Sequence, residues 1–330
     1  MGRGRGATDC GKYQRGLSQS LCLWYGGQCG LWRTPDGSDL RWYAPLRQEG
    51  RRSDHYQDLV KILISIDYEG GSGVVHWKEP SEFQRRMMTE DVIAIASGLK
   101  EHTLIITDAH AGGRNILPDL LPEHCELIRG GPRPLGMMEG VELVDGVILA
   151  SYHGGIGLQS SVMDHTFSSR TIQELLLNGK IVNEGLINTY LAGYFKKPVI
   201  MVSGDDSFIR SIQEQLDPGC EFVVTKYGIS RFSARIRPPG VVRKELKECA
   251  QKAVVKIDRI KPILPPPPYQ IKIRLADTLI ADLIELIPGV SRTSGVEIEF
   301  NDPDFLRIYK SLRLCLNLGI AANYYREYGD

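Results

Sequence analysis

The sequence predicts an α/β protein in which a mostly parallel sheet with flanking helices carries a metal site, followed by a smaller α+β second domain. Three observations predict it. Short apolar runs alternate with helical patterns from residue 61 onward, as in a parallel sheet built by crossover connections. Four of those runs break into glycine beside a residue able to ligate a metal. Past residue 220 the runs give way to apolar/charged alternation, which marks strands with one wet face.

Residues 1–60 differ in kind from the rest. Ten of the 35 glycines fall in the first 50 positions, with three of the 4 tryptophans and no sustained period. This stretch reads as an N-terminal extension, disordered or variable. Its opening Met1-Gly2-Arg3-Gly4-Arg5-Gly6 permits weak nucleic-acid contact, but a plain extension is the simpler reading.

The first buried strand is Ile62-Leu63-Ile64-Ser65-Ile66, and it runs into Asp67-Tyr68-Glu69-Gly70-Gly71. Asp67 and Glu69 are two apart, so in extended chain both carboxylates project to one side and repel unless a cation compensates them. A divalent metal is the economical cation. An acidic loop start, a helix cap or an arginine partner would also serve.

Thr89 can cap a helix that carries Val92, Ala96 and Leu99 on one face. Thr103-Leu104-Ile105-Ile106-Thr107 is a second buried strand, ending in Asp108-Ala109-His110-Ala111-Gly112-Gly113. A third, residues 146–151, ends in Tyr152-His153-Gly154-Gly155, and a fourth, 198–203, ends in Gly204-Asp205-Asp206. Ligands of such sheets bind outside the carboxyl ends of the strands. Parallel pairing would therefore gather Asp67, Glu69, His110 and His153 at one edge.

Between the third and fourth strands, Asn178-Gly179 is a tight-turn signal. Glu184 then lies where a strand passes into a helix bearing Leu186, Tyr190, Leu191 and Tyr194. From there it could complete a metal shell, or merely favour the positive end of that helix. Residues 61–220 make up the metal-binding catalytic domain.

Residues 221–330 read as the smaller domain. A helix near 241–255 leads to a proline-rich connector at 261–268, stiff and extended. Ile271, Ile273 and Leu275 alternate with Lys272 and Arg274, and Val296, Ile298 and Phe300 with Glu297 and Glu299. A last helix begins near Asn301, with Phe305, Ile308, Leu312, Leu316 and Ile320 as its core face.

Asp67, Glu69, His110, His153 and Glu184 offer only oxygen and nitrogen donors, the mixture of a hydrolytic zinc pair rather than a structural thiolate site. Two ions sharing a carboxylate and a water would polarise a carbonyl and supply hydroxide near neutral pH, which suits amide hydrolysis. His165 closes a glycine-rich loop and could reach that edge as base, proton donor or oxyanion stabiliser; a structural loop histidine is the alternative. His55, His76, His102 and His124 have no comparable context.

Other classes are disfavoured. The dinucleotide fingerprint at Gly155-Ile156-Gly157 is incomplete, and phosphate-loop, Gly-x-Ser-x-Gly and His-Glu-x-x-His motifs do not occur. Lys+Arg 40 against Asp+Glu 40 leaves no basic surplus for nucleic acid. No apolar run spans a bilayer and no signal-peptide core opens the chain, so a cytoplasmic location is expected. The cysteines, at 10, 22, 28, 125, 220, 249 and 315, are scattered and without a Cys-x-x-Cys pair, as for reduced thiols.

Taken together, these residues resemble the zinc-dependent D-aminopeptidases related to the dipeptide-transport protein of bacterial operons. The resemblance rests on Ser65-Ile66-Asp67-Tyr68-Glu69-Gly70, Met88-Thr89-Glu90, Asp108-Ala109-His110, Met137-Met138-Glu139-Gly140, Tyr152-His153 and Val162-Met163-Asp164-His165. It continues through Asn183-Glu184-Gly185, Ala192-Gly193-Tyr194, Gly204-Asp205-Asp206, Ile229-Ser230-Arg231 and Leu286-Ile287-Pro288-Gly289, covering about residues 61–320.

The resemblance implies two zinc ions per subunit bridged by Asp67, with Glu69, His110, His153 and Glu184 completing the ligands and His165 as the catalytic residue. It implies release of an N-terminal D-amino acid from short peptides or amides, and a ring-shaped homo-oligomer enclosing the sites. Residues 1–60 have no counterpart in the family, and the loop 153–165 is slightly longer and richer in glycine. A binuclear amidase or esterase acting on another small substrate is the alternative, as is a non-catalytic peptide binder associated with transport.

Overall fold

The computed structural model describes residues 59–328. The extension expected at 1–60 lies outside them except for its last two positions. In chain order the strands and helices are β1 (Lys61–Ile66), α1 (Ser81–Gly98), β2 (Thr103–Asp108), β3 (Cys125–Ile128), β4 (Gly146–Tyr152), β5 (Ile172–Leu177) and β6 (Lys180–Ile181). Then come α2 (Glu184–Tyr194), β7 (Val199–Asp205), α3 (Asp206–Ile212), β8 (Glu221–Ser230), β9 (Ser233–Ile236) and α4 (Pro239–Val254). The chain ends with β10 (Tyr269–Leu275), α5 (Thr278–Ile284), β11 (Ser291–Arg292), β12 (Glu297–Asp302) and α6 (Phe305–Tyr328).

Seven strands form one sheet in the order β3-β2-β1-β4-β7-β8-β9, parallel throughout except for the β8–β9 hairpin. The four apolar runs are its strands β1, β2, β4 and β7. Period-two alternation sends Ile62, Ile64 and Ile66 of β1 into a core with Val92 and Ile95 of α1 and Val242 and Leu246 of α4. Leu63 faces the opposite way, into a core with Leu186 of α2. Burial on both faces is why these strands read as unbroken apolar text.

The second sheet is antiparallel, in the order β11-β12-β10-β5-β6. Ile271 and Ile273 of β10 pair with Phe300 and Ile298 of β12, and all four join Phe305, Ile308 and Leu312 of α6 in the second core. Its strands come from both sides of residue 220. The β5–β6 hairpin turns at Asn178-Gly179, both with positive φ (50° and 75°), whereas β8, β9 and α4 belong with the large sheet. The two sheets therefore do not divide the chain at 220/221, because strand pairing follows spatial neighbours rather than the compositional change.

Two local expectations are corrected. Thr89 does not cap α1, which opens two turns earlier behind Pro80; its hydroxyl donates to the Arg85 carbonyl (2.7 Å) and accepts from the Leu117 N–H (3.0 Å). The first turns carry Glu82, Gln84, Arg85 and Arg86, with Phe83 as their single apolar residue, packed against the core, so no apolar stripe announces them until Met87. Ile320 is not on the core face of α6 but 55% exposed: the buried positions continue through Leu316 and Ala322, and the helical period turns Ile320 away from them. Among the described residues no helix is long and apolar enough to cross a membrane.

Where β1 ends, the chain crosses so close to β4 that a Cβ on Gly70 would lie 1.7 Å from the Tyr152 carbonyl oxygen. Gly70→Ala should cost about 3 kcal/mol by overpacking and lower the melting temperature by several degrees in a thermal scan. The start of α2 is fixed by Asn183, whose side chain accepts from the Leu186 N–H at 2.9 Å. Asn183→Ala should destabilise by about 1 kcal/mol, measurable by urea unfolding.

Candidate metal centre

The register of the large sheet assembles the site. Ile66 pairs with Asp108 on one side and Ala150 on the other. Asp67, His110 and His153 therefore leave three adjacent strands within three residues of one level. Asp67 stays in step through its own N–H, which donates to the Ala150 carbonyl at 2.9 Å, and the Ala109 N–H donates to the Ile66 carbonyl at 2.8 Å. Glu184, in the first turn of α2, meets them from the side.

All six residues singled out in the sequence come together here. Asp67, Glu69, His153 and Glu184 are buried, and His110 and His165 keep side-chain exposures of 17% and 12%. Asp67 Oδ1 lies 3.3 Å from His110 Nδ1, which is itself 3.1 Å from Glu69 Oε2. Asp67 Oδ2 lies 3.6 Å from His153 Nε2, which is 2.6 Å from Glu184 Oε1. Each oxygen of Asp67 thus faces a different histidine–glutamate pair.

Two donor groups follow, Asp67 with Glu69 and His110, and Asp67 with His153 and Glu184; in each, the ligand atoms all lie within 4.8 Å of one another. Donors sharing one tetrahedral zinc stand about 3.3–3.6 Å apart, given bond lengths of about 2.0–2.2 Å. The Asp67–His110 and Asp67–His153 separations match this, while His153 and Glu184, 2.6 Å apart, stand closer than two donors of one ion and would have to part to admit it. Glu69 Oε2 and His153 Nε2 are buried without a hydrogen bond, although each has a near neighbour. Atoms that converge without pairing in this way fit a cation between them better than they fit one another. Glu69, His153 and His165 form a third such group.

The electrostatics agree. Burial, reinforced by Glu69, holds the Asp67 carboxyl well above the usual carboxylate range. Burial also pushes Glu184 upward, but His153 outweighs it and brings the carboxyl down to about 2. Burial pushes His153 down, and Glu184 more than reverses that, raising it to about 10. Without positive charge this set of buried carboxylates is unsustainable, so protons gather on the imidazoles.

Tautomers are fixed by neighbouring carbonyls. His153 Nδ1 lies 2.9 Å from the Gly154 oxygen and His165 Nδ1 lies 2.9 Å from the Met163 oxygen, so in each ring Nδ1 carries the hydrogen and donates. In His165, Nε2 is left with its lone pair toward the cluster, 3.9 Å from Glu69 Oε1; in His153, Nε2 holds the extra proton beside Glu184 and is freed for a cation when that proton leaves. The two rings stack at 4.3 Å and 7°. Burial, reinforced by His153, lowers the pKa of His165.

Several supporting residues escape sequence reasoning. Trp77 Nε1 donates to Glu69 Oε1 at 2.7 Å. The ammonium of Lys226 is fully buried and donates to the carbonyls of Glu69, Gly71 and Val74, tying down the loop that carries Glu69; burial lowers its pKa to about 8. A lone lysine inside the apolar run of β8 was the available signal. Asp205, at the end of β7, takes no place among the ligand-type residues: it accepts from Val162 N–H, Ser161 Oγ, Ser207 Oγ and Phe208 N–H, pinning the His165 loop to the sheet. Asp108 does the same for the His110 loop through Asn115 and Ile116.

A cavity of about 300 Å³ opens onto Asp67, Glu184 and His165, walled by Met137, Phe167, Leu316 and Ile320 and by two arginines, Arg133 and Arg313. A second pocket reaches His165 from the side of His76, Trp77 and Arg170.

Comparison with known proteins points the same way as this geometry. The D-aminopeptidase of Bacillus subtilis (strain 168) is 28% identical over 278 residues, 80% of this chain and 100% of the relative. The solved structure of the Zn-dependent D-aminopeptidase DppA from Bacillus subtilis, described as a self-compartmentalizing protease, superposes with a TM-score of 0.74 at 27% identity, covering 79% of this chain and 98% of that one. Residues 60–314, most of the chain, match the family described as D-aminopeptidase, and the chain therefore belongs to the D-aminopeptidase family of hydrolases.

Proposed function

We propose that the protein is a binuclear zinc aminopeptidase that removes the N-terminal D-amino acid from short peptides or amides. The observation that carries this reading is the position of Asp67, one oxygen toward His110 and Glu69 and the other toward His153 and Glu184. In this reading Asp67, Glu69 and His110 hold one ion, Asp67, His153 and Glu184 the other, and the donor chemistry suits zinc. The zinc dependence of DppA supports the choice of metal. Bound there, zinc supplies Lewis acidity, polarising the peptide carbonyl and making water acidic enough to attack near neutral pH.

His165 supplies the proton chemistry. Its Nδ1–H is occupied by the Met163 carbonyl, so Nε2 is the free acceptor facing the cluster. With its pKa lowered by burial, it stays neutral at physiological pH, able to take a proton from the attacking water and return it to the departing amine. Asp205 and the Met163 carbonyl hold the ring in place. A cytoplasmic location and a ring-shaped homo-oligomer enclosing the sites complete the proposal; the self-compartmentalizing character of DppA supports the latter.

Purified protein given zinc should bind two ions per subunit by elemental analysis and release alanine from a D-Ala tripeptide but not its L counterpart, with activity abolished by a chelator. Retained zinc with neither tripeptide cut would move the substrate to another amide or ester class. Asp67→Asn should lower zinc content and remove turnover together. His165→Ala should leave zinc content unchanged while kcat falls by about 10³-fold; unchanged kcat would overturn its role.

A further inference from the structure

The cavity is lined by groups of opposite charge: Asp67, Glu184 and His165 from the cluster, and the guanidinium groups of Arg133 and Arg313. Arg133 lies on the loop between β3 and β4, and Arg313 on α6. Arg133 Nη1 and Arg313 Nε are both buried without a hydrogen-bond partner. Buried charged donors are costly to leave unmade, and two guanidinium groups around one small cavity repel each other besides.

The neighbouring acids do not answer them. Asp108 is occupied by Asn115 and Ile116, and Glu139 accepts from the Leu135 N–H at 2.8 Å. Burial lowers the pKa of Arg133; Asp108 and Glu139 oppose the shift, and Arg313 adds to it. The backbone nevertheless makes room for the pair. At Gly136, with φ +56°, a Cβ would stand 2.8 Å from Arg313 Cζ, so a side chain there would displace the guanidinium. A forked guanidinium suits a carboxylate, and a cavity of about 300 Å³ has room for the remainder of a short peptide.

We infer that Arg133 and Arg313 form a carboxylate subsite on the leaving-group side, which selects short peptides that end in an anion a residue or two beyond the scissile bond. This rests on the aminopeptidase reading, in which the amino-terminal residue and the scissile carbonyl lie at the acidic cluster. The remainder of a di- or tripeptide then extends toward the arginines. Its α-carboxylate is one source of the anion and an acidic side chain is the other.

The test compares D-Ala-Gly, its C-terminal amide, and D-Ala-Glu amide on zinc-loaded, full-length protein. The free acid should exceed the neutral amide in kcat/KM by about 10²-fold, mainly through KM. Arg313→Met and Arg133→Met should each raise KM for the acid by about tenfold or more and leave the neutral amide within about threefold, with Arg313→Lys restoring part of the loss. D-Ala-Glu amide matching the free acid would assign the subsite to side-chain carboxylates; D-Ala-Glu amide matching the neutral amide would assign it to the chain terminus. Equal rates on acid and neutral amide in wild type, or Met variants that lose both alike, would overturn the subsite.

Calorimetry separates this outcome from failure of the parent reading. If no D-peptide is cut, binding of the reduced-bond analogue D-Ala-ψ[CH₂NH]-Gly and of its amide to the zinc-loaded protein still decides. Tighter binding of the acid form, lost in Arg313→Met, supports the subsite, and equal affinity rejects it. The wild-type comparison needs no variant to fold.

Discussion

Three carboxylates, those of Asp67, Glu69 and Glu184, are buried together at one end of a parallel sheet, and the surrounding structure exists to make that arrangement tolerable. No carboxylate accepts such company without positive charge. His110 and His153 stand against them on adjacent strands, and Trp77 and the Lys226 ammonium fix Glu69 by its carboxylate and its backbone. A cluster this acidic and this buried has the character of a cation site, and a cation bound there would relieve its repulsion.

A second set of acids does structural work. Asp108 and Asp205 end β2 and β7 with the same glycine-rich look as the ligand-type positions, yet each spends its carboxylate on the backbone of a loop. Buried Asp91 likewise accepts from the Ser72 N–H and from Arg243, joining α1, α4 and the loop after β1. The strand ends thus supply both residues that face the centre and residues that hold its neighbours still, as a site of fixed geometry requires.

Much of this was legible in the sequence, and for identifiable reasons. β1, β2, β4 and β7 are buried on both faces, so their apolar runs stand out, and their glycine breaks mark the level at which Asp67, His110 and His153 emerge. Glu184 was legible through the Asn178-Gly179 turn and the helix pattern after it. The start of α1 was hidden because its first turns carry a single apolar residue, Phe83, among polar and charged ones. Trp77, Arg133 and Arg313 were hidden for another reason: Trp77 meets Glu69 only 8 residues away but from a loop without periodic pattern, and nothing local distinguishes a buried guanidinium from a surface one. The grouping of β5 and β6 with β10 was hidden in the same way, since antiparallel pairing across about a hundred residues leaves no periodic trace.

That grouping matters beyond topology. Asp67, Glu69, His110 and His153 all hang from the large sheet or the loops at its edge, but Glu184 follows the β5–β6 hairpin of the small one by three residues. The centre is therefore sutured across two layers: four of its groups take their positions from one sheet, and the fifth is tied by a three-residue link to a sheet that holds none of the others.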